Sequence, residues 1–381
     1  MNNIFAPKLG SPLLNHCPES LPADFYFDAS HFEREQKQIW AKSWVYAGRA
    51  NDFAPLVVKR INIAGQNLIL VKDDKGAINC FHNTCRHRGA ELCSVSETQL
   101  KSKLISCPYH DWSYDLAGNL VRIPFATATA DFKKAEHGLF KVHSHVWNGF
   151  VFVCLAENPP DFLTAPDAGV DALNNWPMDE LVTGHTLIKE MACNWKIFWG
   201  NYNECLHCPG IHPELCDLVP IYRNGIMAEN EAVDWPADHT PRAKLKDGAR
   251  SWTVNGKACG PEFENLSALQ REEGHFFVTL IPTMYIVAHA DYVRAVSLRP
   301  LGPERTELRA EWLFLKSTLA DPRFNLKNVT DFATTVMLQD GAACEMNQRG
   351  LRASVFKHGR LMPQEFDVYK FQQWIRKNLS E

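Results

Sequence analysis

What the chain lacks narrows it first. None of its apolar stretches, such as Phe150-Val-Phe-Val-Cys154, approaches the roughly twenty residues needed to span a bilayer, so no transmembrane segment is expected. Met1 to Gly10 contains no basic start leading into an apolar run and a small-residue cleavage site, so a cytoplasmic protein is expected. Basic charge is not in excess: 40 Lys and Arg stand against 44 Asp and Glu, which argues against nucleic acid as a partner. There is no glycine-rich nucleotide fingerprint, no internal repeat and no low-complexity tract.

What is present exceeds one core. At 381 residues, two domains or one large domain with an insertion are expected. Twelve cysteines without export argue for reduced thiols and metal ligation rather than a disulfide framework.

Residues 1–27 read as an arm, and Ser30-His-Phe-Glu33 as a capping box opening an amphipathic helix to about Ala47, with Phe32, Ile39, Trp40 and Trp44 buried. From Leu56 to Val153 short alternating or apolar runs predict a small all-β unit: 56–63, 67–71, 77–81, 104–106, 112–115 and 149–154. Asp73-Asp-Lys-Gly76 and Ala117-Gly-Asn119 supply its hairpin turns. Asn158-Pro-Pro160 to Pro166 reads as a linker. Beyond it a helix is expected near 170–175, strands at 184–191, 276–281, 284–288, 294–300 and 306–315, and a long helix over about 331–349 that Gly350 closes.

Two constellations carry chemistry. Cys85-Arg-His87 and Cys107-Pro-Tyr-His110 each supply one thiol and one imidazole, the pattern for a [2Fe-2S] cluster with two thiolates on one iron and two imidazoles on the other. A structural zinc tetrahedron, or plain packed Cys and His, would use the same residue types. Gly89 and Trp112-Ser-Tyr114 could offer donors to the cluster sulfurs. Cys80 and Cys93 lie outside the pattern and read as small buried hydrophobes.

The second constellation follows Asn194-Trp-Lys-Ile-Phe-Trp199. Helical spacing puts Asn201, Glu204 and His207 or Cys208 on one face, and His212 lies about 140° further round an unbroken helix. Pro209 and Gly210 are expected to bend the chain between the two histidines. A carboxylate must then come from elsewhere. Phe332, Val336, Asp340 and Cys344 recur at i+4, an inward stripe polar only at Asp340, and a metal would offset the burial of that charge. An ion pair of Asp340 with Arg349 or Arg352 is the alternative. His207, His212 and Asp340 would form the two-His-one-carboxylate set that leaves a face of Fe(II) open.

Cys85-x-His87 with Cys107-x-x-His110-Asp-Trp-x-Tyr-Asp-x-x-Gly-x-Leu resembles the Rieske [2Fe-2S] domain. With Glu-Cys-x-His-Cys-x-x-x-His-Pro-Glu-Leu and Gln339-Asp340 to Leu351, nearly the whole chain resembles the terminal oxygenase (alpha) component of Rieske non-haem iron oxygenases. Its motif is most similar to the quaternary-ammonium branch, the glycine betaine, carnitine and stachydrine demethylases. The resemblance implies an α+β fold: an all-β Rieske domain before a helix-grip-like antiparallel-sheet catalytic domain with helices. Its expected bounds are 1–44 for an arm and helix packing on the catalytic domain, 45–157 for the Rieske domain and 158–381 for the catalytic domain.

The resemblance further implies one [2Fe-2S] cluster and one Fe(II) per chain, with dioxygen as co-substrate. Electrons from NAD(P)H come through a separate flavin and iron-sulfur reductase. It implies a homotrimer in which one chain's cluster serves its neighbour's iron. Glu204, where arene-hydroxylating members usually have Asp, would bridge the two centres through His207 and the adjacent chain's His110, with Asn201 beside it as a further catalytic residue. The implied reaction hydroxylates an N-methyl group of a small betaine-like molecule, releasing formaldehyde; arene hydroxylation and a bare electron carrier are the alternatives. Trp199, Tyr202, Phe276, Phe277 and Tyr285 are candidates to hold the cation, unless they are ordinary core aromatics. Arg294 could receive a substrate carboxylate or lie at a surface or strand edge.

Overall fold

A computed structural model describes residues 11–162, 173–234 and 243–379. The chain divides into two compact units, Gln36–Thr164 and Met1–Glu35 together with Ala165–Glu381. Among the described residues no helix is long and apolar enough to cross a membrane.

The first unit is all β. Its strands are β1 (Val45–Arg49), β2 (Val57–Ile63), β3 (Gln66–Lys72), β4 (Ile78–His82), β5 (Glu97–Gln99), β6 (Leu104–Ser106), β7 (Ser113–Asp115), β8 (Leu120–Arg122), β9 (Lys141–Trp147) and β10 (Phe150–Cys154). Seven pair in the order β1-β10-β9-β4-β3-β2-β5, and β6-β7-β8 form a separate three-stranded sheet. The expected turns are in place. Asp73 Oδ1 accepts from the Lys75 and Ala77 amides at 2.9 Å each, and Asp115 Oδ1 from those of Ala117 and Asn119 at 3.0 and 2.8 Å. Gly118 adopts φ +88°, and a Cβ there would meet the Phe81 ring at 2.4 Å, so the turn needs glycine twice over.

The expected helix to Ala47 is shorter. Asp28, not Ser30, caps it, its Oδ1 accepting from the Ser30 and His31 amides at 2.7 and 3.3 Å. Helix α1 covers Ala29–Glu35, a single π-type turn follows over Gln36–Trp40, and Val45 onward pairs with β10 as a strand. Val45 and Arg49 are buried in that pairing, which outweighs the helical spacing of the preceding aromatics.

The second unit builds on one antiparallel sheet. Its strands are β11 (Val182–Met191), β12 (His275–Leu280), β13 (Met284–His289), β14 (Val293–Gly302) and β15 (Arg305–Phe314), in the order β11-β15-β14-β13-β12. The helices are α2 (Trp195–Tyr202), α3 (Cys208–Ile211), α4 (Pro213–Leu218), α5 (Ala268–Glu273), α6 (Lys316–Ala320), α7 (Leu326–Leu351) and α8 (Phe366–Leu379). The long helix runs through Gly350 to Leu351, so that glycine is not its stop. The helix expected near 170–175 falls mainly outside the described residues.

Sheet register decides which side chains share a face. Phe277 pairs with Val287, Val287 with Arg294 and Arg294 with Trp312, while Thr279 pairs with Tyr285. Directly opposed residues point the same way, as do those two apart along a strand. One face therefore carries Phe277, Thr279, Tyr285, Arg294 and Trp312. Arg294 is on an interior strand and only 4% exposed, so the surface or strand-edge alternative does not hold.

Candidate metal centres and active site

Helix α2 is started by Asn194, whose side chain accepts from the Lys196 amide at 3.0 Å. It stops at Tyr202, so Glu204 is in a turn rather than on the helix face expected. The bend between the histidines also lies later than predicted. Pro209 sits inside the one-turn α3, where a first-turn proline costs no hydrogen bond. The break comes at His212 (φ −116°, ψ 67°), because Pro213 drives the preceding residue out of helical geometry before opening α4.

That break turns His212 back on His207. Their rings are 5.1 Å apart and nearly perpendicular. Asp340 on α7 faces both: its Oδ1 lies 2.9 Å from His212 Nε2 and 3.4 Å from His207 Nε2. Arg352 pairs instead with Glu304, which removes it as the partner of Asp340. Helix α7 is held in register with the start of α2 by its own side chains. Glu345 accepts from the Ala192 amide at 3.0 Å and Gln348 from that of Asn194 at 2.8 Å.

Both imidazoles are oriented from behind. His207 Nδ1 is 2.6 Å from Glu204 Oε1, and His212 Nδ1 is 2.8 Å from Gln339 Oε1. Each Nδ1–H donates outward, which leaves both Nε2 atoms aimed at Asp340. Burial opposes charge on His207, but Asp340 and Glu204 outweigh it and raise the imidazole to about 9. Burial would raise the Asp340 carboxyl, yet the two histidines hold it below its ordinary value. Two carboxylates around two imidazoles thus call for positive charge at their centre, and a divalent cation supplies it. The ligand atoms of His207, His212 and Asp340 lie within 4.8 Å of one another, and one oxygen with two nitrogens suits non-haem iron. Asn201 Nδ2 is 3.5 Å from His207 Nε2. Cys205 and Cys208, on either side of Leu206-His207, form a disulfide; the other ten cysteines are free, so the expectation of thiols alone fails only here.

The triad opens on a cavity of about 540 Å³ lined by Tyr202, Phe276, Phe277, Tyr285, Trp252 and Arg294 among others. Tyr202 and Tyr285 pack with ring centres 4.3 Å apart, and the Tyr202 hydroxyl is 3.2 Å from Thr279 Oγ1. Trp199 does not line the cavity; it is fully buried behind these rings, its Nε1 donating to the Pro282 carbonyl at 3.0 Å. Trp252 and Gln339 went without a role in the sequence. The one adjacency available was that Gln339 precedes Asp340.

In the β unit, Cys85 and Cys107 are buried and their side chains touch, while the two imidazoles lie closer to solvent. His87 Nδ1 and His110 Nδ1 face each other at 3.2 Å. Trp112 stacks on His87 with ring centres 4.7 Å apart. The Tyr114 hydroxyl lies 3.2 Å from Cys85 Sγ and accepts from the Arg86 amide at 3.0 Å. Thiols paired with each other and imidazoles paired with each other suit a two-iron cluster, in which each pair serves one metal.

These two sites define an iron-dependent oxidoreductase that combines an electron-carrying cluster with a mononuclear centre. Residues 43–133 match the Rieske [2Fe-2S] domain, and residues 176–381 match the ring hydroxylating alpha subunit (catalytic domain). The chain belongs to the ring hydroxylating alpha subunit family, whose members incorporate oxygen using a [2Fe-2S] cluster and a mononuclear iron. It is 31% identical to the glycine betaine monooxygenase oxygenase subunit of Chromohalobacter salexigens, over 93% of this chain and 84% of that one. A solved quaternary ammonium Rieske monooxygenase, studied for carnitine oxidation by gut microbiota, superposes with a TM-score of 0.75 at 21% identity, covering 95% and 96% of the two chains. Naphthalene 1,2-dioxygenase from a Rhodococcus species superposes at 0.70 with 18% identity, over 95% of each chain. The same fold therefore serves both kinds of substrate.

Proposed function

We propose that this chain is the oxygenase component of a Rieske monooxygenase that hydroxylates an N-methyl carbon of a small quaternary ammonium compound. The product hemiaminal loses formaldehyde, so the net reaction is N-demethylation. The observation that carries this reading is the cavity at the triad, walled by Tyr202, Phe277, Tyr285 and Trp252, whose ring faces favour a trimethylammonium group. The likeness to a glycine betaine monooxygenase oxygenase subunit supports it.

Cys85 and Cys107 would hold one iron of the cluster, and His87 and His110 the other. His207, His212 and Asp340 would hold the mononuclear iron. When bound, these groups supply electrons and dioxygen activation. The chain's own residues do the rest. Glu204 and Gln339 fix the tautomers of the two ligand imidazoles, and the aromatic wall orients the cation. Asn201 lies close enough to His207 to act as a polar neighbour of the open coordination face.

A homotrimer with electron transfer between adjacent chains, and a separate reductase drawing on NAD(P)H, complete the reading. In it Glu204 joins His207 to His110 of the next chain. Formaldehyde release and oxygen uptake, measured with a compatible reductase against betaines, carnitine, choline and small arenes, test it. Formaldehyde in step with oxygen for quaternary ammonium compounds is expected. Coupled product from arenes alone would overturn the substrate assignment, and undiminished function without mononuclear iron would leave only an electron carrier.

A further inference from the structure

Arg294 is the one arginine or lysine among the described residues that line the cavity, and it is 4% exposed. Its Nε and Nη1 have no hydrogen-bond partner, and among the described residues no carboxylate pairs with it. Asp291, the acid nearest in sequence, is engaged elsewhere: it accepts from the Ser251 hydroxyl at 2.6 Å and from the Cys259 amide. The guanidinium instead lies over Trp252, 5.9 Å from the ring centre, and Trp252 Nε1 is also buried without a partner. A buried arginine left unpaired is costly unless an anion arrives to meet it.

The charged residues that line the cavity are Glu204, Glu273, Asp340, Asp367 and Arg294, so the guanidinium is the one fixed cation in an otherwise acidic lining. Tyr285 feels both: burial raises its hydroxyl to about 12, with Arg294 drawing it down and Asp340 pushing it up. In such a lining an unpaired guanidinium favours a ligand that carries an anion as well as a cation over one that is only cationic.

Resting on the N-demethylase reading, we infer that Arg294 is the receptor for a substrate carboxylate, and that the enzyme selects zwitterionic N-methylated amino acids over cationic amino alcohols. The carboxylate pairs with the guanidinium fork, with Trp252 Nε1 as a neighbouring donor. The trimethylammonium head then lies toward Tyr202, Tyr285 and the triad. A fixed distance between the two ends would also decide which chain lengths place a methyl carbon at the iron.

Glycine betaine and choline share the trimethylammonium head and differ in the carboxylate, so they are the matched probes. Calorimetric titration of the iron-loaded holoprotein should show glycine betaine binding ~10²-fold more tightly than choline, the factor expected of one buried charge-assisted pair. Arg294→Gln should erase that preference with iron content and cluster absorption unchanged, and Arg294→Lys should keep part of it. In the unaltered protein the tert-butylacetate anion, which has the shape and carboxylate of glycine betaine without its cation, should displace glycine betaine. If Arg294→Gln keeps the full preference, or the anion fails to compete, the role of Arg294 is overturned while the N-demethylase reading stands. If the unaltered holoprotein binds neither trimethylammonium probe, that reading falls first.

Discussion

Glu204 Oε1 lies 2.6 Å from Nδ1 of His207, while Nε2 of the same ring faces Asp340 at 3.4 Å. One imidazole thus meets a carboxylate through each nitrogen, and the two contacts have different consequences. The Asp340 side is where a metal would bind; the Glu204 side leads away from it.

Glu204→Gln should therefore retain iron and cluster, because no direct ligand is removed. Coupled product formation should fall ~10–100-fold, the usual cost of a group behind a metal ligand. Iron analysis with formaldehyde yield per dioxygen consumed checks this, and near-normal coupling in a fully iron-loaded variant would remove Glu204 from the electron path.

Asp340→Ala takes away the only carboxylate of the triad. Mononuclear iron should be lost and formaldehyde production should drop to background, while the visible absorption of the Rieske cluster stays intact. Loss of both metals together would show that the two sites do not load independently.

Gln339→Leu leaves all three ligands in place but frees the His212 ring, whose Nδ1 it holds at 2.8 Å. Iron affinity should weaken ~10–100-fold. Turnover per bound iron should be preserved, and titrating iron into the metal-free protein while following activity separates the two effects.

Lys196 and Glu35 form a fully buried pair, Nζ to Oε1 at 2.5 Å, and Glu35 Oε2 also accepts from Trp195 Nε1 at 2.7 Å. Lys196→Ala would leave a carboxylate unpaired in the core and should cost ~3–5 kcal/mol in denaturant unfolding. Replacing both residues with methionine and leucine should cost much less.

Glu231 gives a pH dependence. Burial raises its carboxyl from 4.5 to about 7, so the folded chain holds this proton more tightly than the unfolded chain does. Its contribution is complete below about pH 4.5 and is lost as the pH rises through about 7, up to about 3 kcal/mol in all. The Glu231→Gln variant should not lose it. Unfolding of both proteins at about pH 5 and about pH 8.5 should show the wild type losing ground to the variant as pH rises; a constant difference would refute the assignment.

Much of this was legible from local chemistry. The metal-site residues are side chains of unusual type at close spacing, and strands such as β10 announce themselves as unbroken apolar runs. What spacing could not give was where the chain bends. His212, not Gly210, turns because Pro213 follows it, and Glu204 reaches His207 across a turn rather than along a helix. Nor could it give the pocket. Arg294 and Trp252 stand 42 residues apart in sequence and meet through sheet register and tertiary packing, which one sequence does not display. The aromatics divide for the same reason: Trp199 and Tyr202 belong to one helix, yet one is packed behind the wall and the other forms it.

His207 and His212 flank α3 and Asp340 is on α7, whereas Phe277, Thr279, Tyr285 and Arg294 stand on strands. Inheritance can therefore act on the two sets separately. A substitution on a strand can reshape that part of the cavity wall without replacing a residue of the triad. A lineage can acquire a new diet one sheet position at a time, without passing through an ancestor that could no longer handle oxygen.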